Sequence, residues 1–484
     1  MRQGGNGKNM KVFDYDLIVI GGGPAGIVAA KIAKGIGKKA AMVEKDKIGG
    51  DCTWYGCVPS KTLIRAASVA HLAKNLNDYG LEFKGEQILN TEHVLKHVRN
   101  VIQNVYKSEQ PEVFEKLGIK VFFGSPEFID NHQILIGSER LSSKNFIIAT
   151  GSSPFIPPIM GLNTTPYLTN ETIFSLERLP ASMILLGGGP IGIELSQALN
   201  RLGVNTTVIE MSDRILFRED KELSGILTEH LKKEGVNILT KTKAVKFAEK
   251  DSKRVVTVQN EEGSLKEIEA DSVMVAVGRK PNVGGLKLEN AGVNYTPKGI
   301  IADERLRTTA PNIYACGDIV GPYQFSHMAE YQALTATLNA FLPIKRKVNY
   351  HNVPWCTFTD PELAHAGLTE EEARERYGNT IKIYSYDYSH VDRAQADLST
   401  IGKSKFICDK KGKLIGAHIL GHLAGETMHE VQLLKSLNIP FTKIAPVIHA
   451  YPTYSDVVKR PSGQAYVEKL QSNLFIKLMK KIFS

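Results

Sequence analysis

The chain has 484 residues, 42% of them hydrophobic, enough for about three domains with sizeable cores at roughly 150 residues each. Sixty Lys and Arg against fifty-one Asp and Glu give a formal charge of +9, but the charge is scattered and forms no arginine-rich arm or nucleic-acid module, so no nucleic-acid partner is expected. Five cysteines are too few, and odd in number, for a disulfide-stapled secreted fold, and apolar runs such as DLIVI and ASMILL are far shorter than the ~18 residues that cross a bilayer.

The opening MRQGGNGKNM lacks the pattern of a secretory leader and reads as a loose polar tail, which points to a cytoplasmic protein. The first periodic element is DLIVIGGGPAGIVAAKIAKGIGKKAAMVEKD. Leu17 to Ile20 form a buried strand, Gly21, Gly23 and Gly26 supply GxGxxG, and the alanine-rich run that follows is a helix. A diphosphate must come close to the amides and positive dipole end of such a helix, which is why glycines are needed there. A second strand ends at Glu44, a carboxylate placed to accept from a ribose diol. Strand, turn, helix and acid in register predict a dinucleotide site.

Next comes GGDCTWYGCVPSKTL, Gly49 to Leu63, with Cys52 and Cys57 five positions apart. Such a pair can bind a metal, brace a fold or exchange electrons. Tetrathiolate zinc needs a second matched pair, and Cys316, Cys356 and Cys408 are isolated, which fits small buried residues better; no metal site is expected. Pro59 suits the first turn of a helix whose amides would stabilise a thiolate at Cys57, and a thiolate beside a flavin can exchange two electrons with a disulfide. Trp54 and Tyr55 either wall that site or pack a strand-to-helix corner.

The turn then repeats in MILLGGGPIGIELSQALNRLGVNTTVIEMSDR, with Gly187, Gly189 and Gly192, and with Glu210 where Glu44 stood in the first copy. Two copies about a domain apart imply two dinucleotides, one held and one exchanged. A carboxylate accepts from a free 2′-hydroxyl and repels a 2′-phosphate, so Glu210 favours NADH, while Arg214 keeps NADPH open.

Four further stretches complete a resemblance: IIATGSSP (Ile147 to Pro154), VGRKPN (Val277 to Asn282), IYACGDIVG (Ile313 to Gly321) and GAHILGHLAGE (Gly416 to Glu426). With the cysteine segment and the paired glycine turns, residues 13 to 465 resemble the class I pyridine-nucleotide disulfide oxidoreductases, the group of dihydrolipoamide dehydrogenase, glutathione reductase and mercuric reductase. The resemblance implies an α/β protein with two Rossmann-like domains and a C-terminal α+β dimerisation domain. Residues 1–151 and 282–346 would bind FAD, 152–281 NAD(P)H, and 347–484 would pair two copies into a homodimer in which each C-terminal domain completes the other subunit's disulfide site. It further implies that Cys57 lies next to the flavin and Cys52 is the outer thiol. Asp318 would bond the FAD ribityl chain beside Gly317, Lys61 and Glu194 would pair near the flavin ring, and Thr150, Gly151, Gly278 and Arg279 would belong to the cofactor sites.

Two places depart from that family. Pro190 stands where many members carry a tyrosine that shields the flavin, which implies easier access for small acceptors. In HAYPTYSDVVKR, His449 to Arg460, Tyr451 takes the place of the histidine that shuttles protons for thiol exchange, and Asp456 that of its glutamate. A phenol with an ordinary pKa near 10 is a poor base, and His449 alternates away from Tyr451 in an extended segment. The expected function is therefore electron transfer from NAD(P)H through FAD and Cys52–Cys57 to a small-molecule acceptor that does not need histidine. Mercuric reductase, which also carries tyrosine here, is the sharp alternative, although no cysteine follows Cys408 to deliver the metal. Dihydrolipoamide dehydrogenase and a non-catalytic flavoprotein subunit complete the set. The final NLFIKLMKKIF reads as a short amphipathic helix that packs rather than contacts a membrane.

Overall fold

The structure is a computed structural model that describes residues 12–82, 85 and 88–483; the polar opening decapeptide lies outside the described residues. The chain divides into two compact units, one of Met1–Pro59, Arg99–Pro154 and Arg279–Val348, the other of Ser60–Val98, Phe155–Gly278 and Asn349–Ser484.

The first unit is built on a parallel sheet. Strand Tyr15–Ile20 lies between Ala40–Glu44 and Glu139–Ile148, with Lys120–Phe123 outside Ala40–Glu44 and Ile313–Ala315 alongside Glu139–Ile148. Leu17, Ile18, Val19 and Ile20 are all buried, the unbroken apolar run expected of a strand covered on both faces. Gln133–Ile136 and Pro126–Asp130 extend the sheet in antiparallel fashion. Helix Pro24–Gly35 buries Ala25, Gly26, Ala29, Ala30 and Ala33, and these small residues let it pack closely against helix Ser326–Phe341. The closest approach is at Gly26, where an added Cβ would stand 1.8 Å from the Gly21 carbonyl oxygen.

The second unit repeats this logic and then changes it. Strands Asn237–Leu239, Asn205–Ile209, Ser182–Leu186 and Ser272–Val275 form a parallel sheet in that order, and helix Pro190–Arg201 follows Ser182–Leu186 as Pro24–Gly35 follows the first strand. A three-stranded antiparallel sheet, Lys243–Lys250, Lys253–Gln259 and Leu265–Ala270, is inserted before the last strand. The C-terminal part is an antiparallel sheet in the order Pro354–Thr357, Glu362–Gly367, Leu414–Gly421, Lys403–Cys408 and Lys382–Asp387. Helices Ala424–Ser436 and Asp456–Ser472 pack on it around Phe406, Phe441, Met428 and Val457. The chain ends in helix Leu474–Phe483, and among the described residues no helix is long and apolar enough to cross a membrane.

An ion cluster ties this unit together. Arg201 donates to both oxygens of Glu234 at 2.6 and 2.9 Å and to Asp360 at 2.7 Å, and His230 adds a contact to Glu234 at 2.8 Å. Burial works to raise the Glu234 carboxyl, but the hydrogen bonds and charges of His230 and Arg201 prevail and hold it at about 2. A carboxyl depressed in the folded state contributes stability above its unfolded value of about 4.3 and loses it as pH falls toward the folded value, here worth about 3 kcal/mol. Urea unfolding of wild type and Glu234→Gln should therefore differ by about that amount at pH 7 and by clearly less at pH 3. An equal difference at both pH values would refute the assignment.

Candidate active site

Each glycine turn delivers the same geometry. In the first, Glu44 accepts the Gly22 amide at 2.7 Å and the Asp46 amide at 2.9 Å; in the second, Glu210 accepts the Gly188 and Ser212 amides, both at 2.7 Å. Every carboxylate oxygen so engaged keeps a second lone pair for a ribose hydroxyl. Gly21 and Gly187 take φ of +110° and +101°, and Gly192 approaches Gly187 as Gly26 approaches Gly21, with an added Cβ 2.0 Å from the carbonyl oxygen. At the middle glycine the Cβ direction is clear, Gly23 meeting only the Gly50 Cα at 3.9 Å and Gly189 nothing within 4 Å. That space at the start of helices Pro24–Gly35 and Pro190–Arg201 fits a diphosphate, so the residues present suit two dinucleotides. Pro190 opens the second helix as Pro24 opens the first. Arg214 turns to the Phe217 carbonyl at 2.9 Å, with Glu371 at 3.6 Å and Asp213 at 3.7 Å.

The cysteines lie on two successive helices. Cys52 belongs to Gly50–Trp54, and Cys57 opens Cys57–Lys74 with Pro59 in its first turn. Both carry thiols, Cys52 half-buried and Cys57 exposed, and Cys57 Sγ is 3.6 Å from the Ser326 hydroxyl. A hydrogen bond to Cys57, then burial and the charge of Cys57, push the Cys52 thiol far up, against an opposing contribution from Ser326 and with a further push from Asp51. Trp54 packs on Tyr106 with ring centroids 4.9 Å apart and donates to the Ile48 carbonyl at 2.8 Å, the role of a corner residue. Cys316 and Cys408 are buried as expected, and Cys356 is half-buried.

A chain of polar groups joins the cysteine segment to three other sequence motifs. Arg279 contacts Asp51 at 3.1 Å, donates to the Ser152 hydroxyl and carbonyl at 2.7 and 2.8 Å, and lies 3.8 Å from Asp318. Ser152 donates to Asp318 at 2.6 Å. Burial raises the Asp318 carboxyl, with Ser152 and Arg279 opposing. Gly317, at φ +82°, donates its amide to Gln332 at 2.7 Å. Thr150 and Gly151 are held by Asn282, whose side chain donates to the Thr150 carbonyl at 2.9 Å and whose amide donates to Gly151 at 3.0 Å. Gly278, at φ +136°, accepts the Phe155 amide at 2.9 Å.

Lys61 and Glu194, 133 positions apart, meet at 2.7 Å with the Glu194 side chain buried. Glu194 also accepts the Phe358 amide at 2.9 Å, and the Lys61 ammonium sits 4.6 Å over the Phe358 ring. Phe358 thus completes the pair, and nothing in its sequence surroundings marks it.

Tyr451, His449 and Asp456 line one cavity of about 370 Å³ with Lys459 and Arg460, and each has a partner outside the trio. The exposed Tyr451 hydroxyl donates to Asp392, whose bond and charge raise the phenol above its ordinary value. His449 engages Glu430 through Nε2 at 2.8 Å and the Val447 carbonyl through Nδ1 at 3.0 Å. Asp456 faces Arg460 at 3.5 Å, and Arg393 pairs with Asp397 at 2.7 Å. Sequence reasoning missed Asp392, Glu430 and Ser326, which no spacing rule connects to their partners. Asp51 lay in plain view beside Cys52.

The family described as pyridine nucleotide-disulphide oxidoreductase matches residues 15–333, and its dimerisation domain matches residues 353–461. The mercuric reductase of Staphylococcus aureus is 34% identical over 448 residues, 92% of this chain and 81% of that protein. A dihydrolipoyl dehydrogenase of Bacillus subtilis (strain 168) is 31% identical over 448 residues, 91% of this chain and 96% of its own length. The structure of the HOCl-induced flavoprotein disulfide reductase RclA from Escherichia coli matches with a TM-score of 0.83 at 27% identity, covering 93% of this chain and 99% of that one. The fold is thus α/β with FAD- and NAD(P)-binding Rossmann-type architecture and a separate α+β dimerisation domain, and the chain belongs to the pyridine nucleotide-disulphide oxidoreductase family of redox enzymes.

Proposed function

We propose that this protein is a homodimeric, cytoplasmic, NADH-dependent flavoprotein that passes an electron pair through Cys52–Cys57 to a small electrophile, a metal ion, a quinone or an activated disulfide. The observation that carries this reading is Tyr451. At the position where thiol exchange uses a histidine, the side chain is a phenol bonded to Asp392 with its proton held more tightly than usual. His449 does not stand in for it, since both ring nitrogens are engaged by Glu430 and Val447.

Bound FAD would supply the two-electron link between a nicotinamide and a disulfide, a step that nicotinamide alone does not readily make with thiols. Gly21, Gly23, Gly26 and Glu44 would hold its adenosine end, Gly317 and Asp318 its ribityl chain, with Thr150, Gly151 and Arg279 bracing those segments. Lys61, oriented by Glu194, would present an ammonium where negative charge develops on reduction. Reduction of the pair breaks the S–S bond, puts one proton on Cys52 and leaves the charge on Cys57. Cys52 is then the outer group that a disulfide acceptor would meet.

Gly187, Gly189, Gly192 and Glu210 would hold the nicotinamide dinucleotide, with Gly278 at the edge of that half. Glu210 supports NADH, and Arg214 is turned toward the Phe217 carbonyl with Glu371 and Asp213 close by, two carboxylates that disfavour a 2′-phosphate beside it. A metal ion among the acceptors is supported by two relatives, a mercuric reductase and RclA, the latter also described as a Cu(II) complex. Hg(II) reduction is the second reading, favoured by the same phenol.

Replacing Glu210 with Gln should shift flavin reduction from NADH toward NADPH, read as the ratio of the two rates by stopped flow. A wild type that prefers NADPH would overturn the assignment of the ribose pocket. Wild-type turnover of lipoamide should lag far behind reduction of quinones or dyes, and Tyr451→His should raise lipoamide turnover by ~10²-fold or more while leaving flavin reduction by NADH unchanged. Efficient lipoamide turnover by the wild type would sink the proposal.

A further inference from the structure

We propose that Ser326 and Asp51 together decide which sulfur of the reduced pair carries the negative charge, Ser326 by donating a hydrogen bond to Cys57 and Asp51 by keeping a carboxylate beside Cys52. The assignment rests on the reading of Cys52–Cys57 as the redox centre and deepens it.

The geometry sets the two sulfurs in unlike surroundings. Ser326 is the first residue of the 16-residue helix Ser326–Phe341, and its hydroxyl is 3.6 Å from Cys57 Sγ. A thiolate has no proton to give, so at Cys57 the hydroxyl must be the donor, and the positive dipole end of that helix favours the same charge. Because Ser326 touches a reacting atom, it is a catalytic residue in this scheme.

Asp51 works from the other side. It directly precedes Cys52, its carbonyl accepts the Tyr55 amide at 2.8 Å, and its carboxylate lies under the loop between the cysteines, where a Cβ on Gly56 would come within 2.9 Å of Oδ2. Arg279 holds that carboxylate at 3.1 Å but is shared with Asp318 and fixed by Ser152, so it anchors Asp51 without serving it alone. A carboxylate next to Cys52 disfavours a second negative charge there. Asp51 is therefore a positioning residue for the proton. Further charged or titratable groups nearby are Arg279 and, through Ser152, Asp318, with His327 next to Ser326. At the Cys52 thiol, Asp51 opposes ionisation as the assignment requires, while Ser326 also reaches Cys52 and eases its ionisation, an effect outweighed there by the hydrogen bond to Cys57, burial and the charge of Cys57.

The consequence bears on the acceptor. With the proton kept on Cys52 and the charge on Cys57, the enzyme needs no external histidine to make its thiolate. Attack of Cys52 on an ordinary disulfide is slowed, because the attacking sulfur must first lose its proton. An acceptor that binds the existing thiolate, as a soft metal ion does, meets no such requirement.

The test uses FAD-loaded, two-electron-reduced protein, whose flavin-to-protein ratio is checked for every variant. Two readouts are followed against pH, the long-wavelength thiolate absorbance and the rate of Cys52 alkylation by iodoacetamide, located by peptide mass spectrometry. Ser326→Ala should move the absorbance midpoint up by about 0.5 to 1 pH unit, and Ser326→Thr should restore it. Asp51→Asn should speed Cys52 alkylation at pH 7 by about 3- to 10-fold, and Asp51→Glu should stay near wild type. Variants that retain FAD but leave both profiles unmoved would overturn the assignment. A wild type without the long-wavelength absorbance would overturn the reading of the pair itself, and this assignment with it.

Discussion

Close approach between a strand-end carbonyl and a helix one turn later is the constraint on which this molecule depends. Gly26 against Gly21, and Gly192 against Gly187, leave no room for a single carbon, and that contact sets the helix start directly beyond the end of the strand. Both dinucleotide turns are hung from those two starts. The acids Glu44 and Glu210 reach back to the turns from the ends of the neighbouring strands, and the middle glycines keep the space in front of the helix clear. Each turn thereby gathers backbone amides and one carboxylate in an arrangement that suits a charged, extended cofactor, with little demand on the rest of the sequence.

The proposed redox centre depends on longer connections. Arg279, Ser152 and Asp318 form a polar chain behind the cysteine loop, and Ser326 reaches Cys57 from a helix 269 positions away. Within the second unit, Lys61 likewise gains its orientation from Glu194 and its ceiling from Phe358. On the proposed reading, the thiolate is stabilised inside the chain that bears it. That is coherent with the loss of histidine at Tyr451, because a centre that needs no external base does not require one to be kept.

The parts legible in the sequence are those whose chemistry is local. The glycine turns, the acids that close them, the helix with Pro59 in its first turn and the buried cysteines Cys316 and Cys408 all follow from spacing and residue type. The pairing of Lys61 with Glu194 was within reach only through resemblance, since no periodicity links residues 133 positions apart. Asp392 under Tyr451 and Glu430 beside His449 were out of reach for the same reason, although both decide what those side chains can do. Trp54 shows the opposite case, a conspicuous residue between the cysteines whose ring is occupied with packing on Tyr106.

The claim that a dithiol and a flavin work as one unit is tested most directly by anaerobic titration of the FAD-loaded wild type with NADH, beside Cys57→Ser, with absorbance recorded after each addition. Wild type should take up the first electron pair with the flavin still oxidised and a long-wavelength thiolate absorbance growing in, whereas Cys57→Ser should bleach its flavin with the first pair and show no such absorbance. Flavin bleaching with the first pair in both proteins would contradict the account.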